Sequence, residues 1–185
     1  MILIGCRGLN DPLPLRSPEL YGPFVTGIII TDETGPDPID HWRKPSLPED
    51  SHNNLILSNP FPNPGNVNQK ISFVVDTTLK LSIWIVEASQ TVSDSGHTLT
   101  MLNGEFATPH GLAIRTLARN HEFGPGAYLA VWNGLNDDRI LVPDGFYRIY
   151  FQAGALLLWR DMLWLRNPCN SPIDLQKLFS TANGC

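Results

Sequence analysis

The 185-residue chain has little charge of either sign and no block of it. Charged residues make up 17%, the formal net charge is −5, and no run of Lys or Arg occurs. A nucleic-acid surface needs clustered basic side chains, so that class is excluded. Neutral partners such as sugars are not. Long apolar runs are also missing. The best stretch, ALLLWRDMLWL (Ala155 to Leu165), is short and broken by Arg160 and Asp161. It reads as a strand packed on a core rather than a membrane span. Cysteine is sparse, at three, with no CxxC and no paired His–Cys spacing, so no zinc site is expected. The histidines, His41, His52, His97, His110 and His121, are scattered and form no HExxH. There is no GxSxG and no glycine-rich phosphate loop before a helix. A glycosidase would need two carboxylates across a cleft, and here Asp and Glu stand mainly in turns. These absences lead to the expectation that the chain is not an enzyme.

Turn residues, by contrast, are plentiful: 16 prolines and 15 glycines. They favour many short strands over helices. FVTGIII, Phe24 to Ile30, reads as a strand before the turn DETG. PDPIDHWRKPSLPED, Pro36 to Asp50, is punctuated by proline and reads as an extended surface segment. QKISFVVD places Ile71, Phe73 and Val75 on one face. LKLSIWIVEA places Leu79, Leu81, Ile83 and Ile85 on one face, with Lys80, Ser82, Trp84 and Val86 on the other. Residues 89 to 110 read as a long polar loop. GLAIRTL, GPGAYLAVWNG, GFYRIYF and residues 155 to 165 supply further strands. Short strands with turns between them predict an all-β fold, an antiparallel β-sandwich. The expected core is Ile71, Phe73, Val75, Leu81, Ile83, Tyr128, Trp132 and Ile149. In SPIDLQKLF, Ser171 suits an N-cap and Pro172 the first helical position, so a short C-terminal helix is expected.

The ordered set NPFPNP (Asn59 to Pro64), ISFVVD, LKLSIWI, IRTL, GPGAYLAVWNGLNDD and VPDGFYRIYF resembles the Ig-like module of the flagellar hook-capping (FlgD-like) family. It is also similar in layout to type IX secretion sorting domains. The resemblance covers roughly Leu55 to Leu165. Asn133 stands where the family usually has Asp, and the link before IRTL is longer than usual. The resemblance implies an Ig-like or fibronectin-type sandwich with an accessory, non-catalytic role. It suggests a domain plan of 1–22 start and linker, 23–54 extended N-terminal segment, 55–166 sandwich and 167–185 tail.

Several residues carry the functional alternatives. LIGC, Leu3 to Cys6, resembles a lipobox, which would make Cys6 a lipid-bearing residue and tether the chain to a membrane. The remaining cysteines, Cys169 and Cys185, are either free thiols or a disulfide of an exported chain. In WNGLNDD and the following VPDG, Asp137, Asp138 and Asp144 are either turn residues or weak ligands for Ca²⁺. No other cofactor is expected. Trp84 and Tyr147 are candidates for a sugar-stacking face, with Trp42, Trp159, Trp164 and Tyr128 as further aromatics; the alternative is that both faces are covered. The functional expectation is a structural or protein-interaction module of an exported, envelope-associated or extracellular bacterial protein. A protein partner or self-association is expected. A carbohydrate-binding module and a secretion-sorting domain are the alternatives.

Overall fold

The computed structural model describes residues 23–45, 51–52, 54–90, 113–167, 169 and 176. Eleven strands are present among them. In chain order they are β1 (Phe24–Val25), β2 (Ile28–Ile30), β3 (Asp40–Trp42), β4 (Ser51–His52), β5 (Leu55–Leu57) and β6 (Gln69–Val75). β7 (Leu79–Gln90), β8 (Ala113–Phe123), β9 (Gly126–Trp132), β10 (Gly145–Ala153) and β11 (Leu156–Trp164) follow. The expected C-terminal helix falls outside the described residues except for Gln176. So do the linker 7–22 and most of the 89–110 loop.

The strands form two layers and a small attachment. One sheet runs β8–β7–β10–β11, and β1 adds to β7 as well. The other runs β4–β5–β6–β9. All pairings between named strands are antiparallel except that of β1 with β7, where Phe24 lies beside Ser89 and Val25 beside Gln90. The all-β antiparallel expectation therefore holds, with one parallel edge added.

Alternation explains the core. In β6 the side chains of Ile71, Phe73 and Val75 point inward, and in β7 those of Leu81, Ile83 and Ile85 do. Tyr147, Ile149 and Phe151 of β10 and Leu158, Met162 and Trp164 of β11 meet them, with Leu55, Leu57 and Trp132 from the second sheet. Seven of the eight expected core residues are buried. Tyr128 is the exception: it is half-buried at the margin, stacked on Phe73 at 5.3 Å, with its hydroxyl donating to the Gly124 carbonyl.

The N-terminal segment differs from its sequence expectation. FVTGIII is broken at Thr26–Gly27 into β1 and β2, and the Pro-punctuated stretch contains β3, which pairs with β2. Trp42 does not lie on the surface. It stacks on Phe146 at 5.2 Å. Val25, Ile28, Ile30 and Trp42 cover Ala88, Phe146, Leu163 and Leu165, a second cluster on the outer face of the first sheet. Gly27 permits this fold-back, because a Cβ there would collide with the Trp42 carbonyl.

Candidate functional site

The stretch WNGLNDDRILVPDG links β9 to β10, and its polar groups are engaged locally. The Asn133 side chain accepts from the Leu135 amide, and that of Asn136 accepts from the Ile140 amide at 2.8 Å. Gly134 has φ +72°, and a Cβ on it would run into the Trp164 indole. Trp132 donates from Nε1 to the Leu135 carbonyl at 2.9 Å, which seats the turn on the core.

The three aspartates do not share a site. Asp137 accepts from the Thr116 amide with both oxygens, at 3.1 and 3.2 Å, and from Arg115 at 3.3 Å. It thereby pins the turn to β8. Asp144 accepts from the Arg166 amide and guanidinium and from the Asn167 amide, closing the far end of β11. Asp138 is exposed between them. Among the described residues, no three His, Cys, Asp or Glu side chains gather.

The proposed aromatic pair is also separated. Tyr147 points into the core, 1% exposed, against Trp132 at 5.0 Å. Trp84 stands on the opposite face of the same sheet, stacked on Tyr150 at 5.3 Å. Register puts Trp84, Tyr150 and Trp159 in one row across β7, β10 and β11. Tyr150 is fully buried there, so Trp84 and Tyr147 make no common stacking surface. Face periodicity alone does not say which face of either strand turns inward. The partner needed to choose the inward face of β10 is set by long-range pairing.

The polar residues that hold the sandwich together were not foreseen from sequence. Arg148 and Asp161 pair across β10 and β11, both buried. Burial pushes the Asp161 carboxyl up, while the Arg148 bonds and charge pull it down. Arg160 reaches from β11 to the Leu57 and Ser58 carbonyls, tying one sheet to the other. Asn63, fully buried in the NPFPNP stretch, joins three elements. Its amide donates to the Ile29 and Asp161 carbonyls, its side-chain oxygen accepts from the Leu163 amide, and its backbone pairs with Thr31. The next glycine, Gly65, exchanges backbone bonds with Leu163 and Leu165, so this segment covers the outer edge of β11. The peptide bonds Phe61–Pro62 and Asn63–Pro64 are cis. The signal available in sequence was an asparagine among prolines, which reads equally well as a turn.

No family model matches the chain, and no curated protein does. Among solved structures it is similar to dimeric latent PorU from Porphyromonas gingivalis, at 11% identity and a TM-score of 0.38. The match covers 69% of this chain and 11% of that one.

Of the cysteines, Cys169 is disulfide-bonded. Cys6 and Cys185 lie outside the described residues.

Proposed function

We propose that the chain carries an Ig-like sandwich serving as a structural or protein-interaction module of an exported, envelope-associated bacterial protein. One observation carries the Ig-like reading. Tyr147, near the start of β10, donates its hydroxyl to the Pro143 carbonyl four residues back, at 2.7 Å. Such a tyrosine corner marks the equivalent strand of immunoglobulin-type sandwiches. The strand order supports the same reading. β5–β6–β9 opposed to β8–β7–β10–β11 is the arrangement that a seven-strand Greek-key sandwich adopts.

The non-catalytic role is supported by what the polar side chains do. Asp137, Asp144, Asp161, Arg148, Arg160 and Asn63 all bind backbone or one another across strands. Their work is to close the sandwich. The export reading rests on the disulfide at Cys169, since such bonds persist in oxidising compartments. Pairing with Cys185 and a lipid on Cys6 complete the proposal.

The test is to express the gene with its natural upstream region and to follow the chain by cell fractionation and intact mass. A membrane-fraction species starting at Cys6 and carrying acyl mass supports the anchored form. A soluble extracellular species supports secretion. A cytosolic species with all cysteines reduced contradicts both.

A further inference from the structure

The edge strands of the two sheets include β4, β8, β9 and β11, and the fold treats β11 and β9 differently. On β11 the edge is covered by Asn63 and Gly65. On the opposite side, β9 pairs only with β6 among the described residues. The direction of its bonds follows from β6. Lys70 exchanges backbone bonds with Phe61, and Ser72 bonds Ser58, so both face away from β9. By alternation Gln69, Ile71, Phe73 and Val75 face β9, and bind Trp132, Ala130, Tyr128 and Gly126. Ala127, Leu129 and Val131 therefore turn their N–H and C=O groups to the open edge.

The same residues present their side chains on the outer face of the sheet. Leu129 is 51% and Val131 45% exposed, beside Val74 and Ile56 at 37% and 41%. GAYLAVW has no charge, no proline and no bulge in its register. It lacks the devices that normally block strand addition.

We propose that β9 is the seam of a weak antiparallel homodimer, in which Gly126–Trp132 pairs with the same strand of a second copy about Leu129. A twofold axis through Leu129 sets Ala127 opposite Val131 of the copy, a small residue against a larger one. It satisfies every outward backbone group of the strand on both sides. Charge favours this surface. The chain carries −5 overall, yet β5, β6 and β9 place no carboxylate on the outer face, and Lys70 is its one charged side chain. Two copies therefore meet here without the repulsion they would feel elsewhere. The contact is small, below about 1,200 Å² in total, so the dimer is of the weak class and forms at high local concentration. Such a concentration arises when chains are crowded on one surface. The inference rests on the interaction-module reading and names its partner.

Sedimentation equilibrium of the full chain, from about 1 μM to about 1 mM, spans the relevant affinities. A monomer–dimer equilibrium is expected, weakened at least tenfold by Leu129→Lys. Leu129 is exposed, so this variant keeps its β spectrum. In a Cys6→Ser background, Leu129→Cys is expected to cross-link to itself under mild oxidation, and Lys70→Cys, on the neighbouring strand β6 away from the axis, is not. A chain that stays monomeric throughout, or a dimer indifferent to Leu129→Lys and not cross-linked through position 129, overturns the seam. Either result leaves the Ig-like reading standing, because that depends on Tyr147 and not on β9.

Discussion

Arg148 and Asp161 face each other in register across β10 and β11, joined by bonds of 2.6 Å from Nε and 2.9 Å from Nη2. The Arg148 guanidinium also lies over the Trp159 ring, 5.2 Å from its centre. A bidentate pair of this kind holds the strand register while both charges are out of water. Replacing Asp161 with Asn removes the carboxylate facing a buried guanidinium. We expect a loss of about 3–5 kcal/mol in urea unfolding. The double change Arg148→Met with Asp161→Leu should recover most of it, since an apolar pair of similar volume is often neutral. A single-variant loss below 1 kcal/mol would mean that water reaches the pair.

The Tyr147 corner has a pH signature. Burial, then the nearby charges of Glu87 and Asp144, raise its phenol well above the ordinary value of 10.0. A group whose folded pKa is raised gives full stability below its unfolded pKa and loses it as pH rises beyond. The chain should therefore weaken from about pH 10 upward. Tyr147→Phe should cost about 0.5–1.5 kcal/mol at neutral pH, the net worth of a hydrogen bond. It should also flatten the alkaline decline, as read from melting temperature against pH. An unchanged alkaline slope would show that Tyr147 ionises freely in the fold.

Gly134 is fixed by two constraints at once. Its φ is +72°, and a Cβ on it would run into the Trp164 indole. Gly134→Ala strains the backbone and overpacks a core edge, and should cost about 1–3 kcal/mol. Gly154, also at positive φ but with open space around it, should show only the smaller backbone cost when changed to Ala. Equal losses at the two sites, by thermal melting, would remove Trp164 from the explanation.

Asp137 is expected to act as a clasp on β8 rather than as a ligand. Asp137→Ala should speed hydrogen exchange at the Thr116 amide, which it holds at 3.1 Å. EDTA should leave the melting temperature of the parent chain where it was. A drop with EDTA that Ca²⁺ reverses would restore the metal reading of WNGLNDD.

Much of the sandwich was legible because its strands alternate strictly. Ile71, Phe73 and Val75, and Leu81, Ile83 and Ile85, could face the core only together, so period alone placed them. It was less informative where both faces are covered. In β10 every residue from Phe146 to Phe151 is buried, and period then cannot say which side is the core. Periodicity therefore does not separate Tyr147 from Trp84. The N-terminal strands were hidden for another reason. β3 is three residues long, and Trp42 is buried by Phe146, more than 100 positions away. The polar clasps are of the same kind. Asn63 bonds Leu163 and Arg160 bonds Leu57 across separations of 100 and 103 positions, and no local pattern marks such partners.

The proposed export and structural role is tested most directly by the state of the thiols in the cell of origin. Cells expressing the gene with its natural upstream region are treated with an alkylating reagent that does not cross membranes, before and after reduction, and the mass of the chain is measured. Our account predicts a chain reached from outside the cytoplasm, with Cys169 alkylated only after reduction. A chain that the reagent cannot reach in intact cells, and whose Cys169 is alkylated without reduction once the cells are lysed, would contradict it.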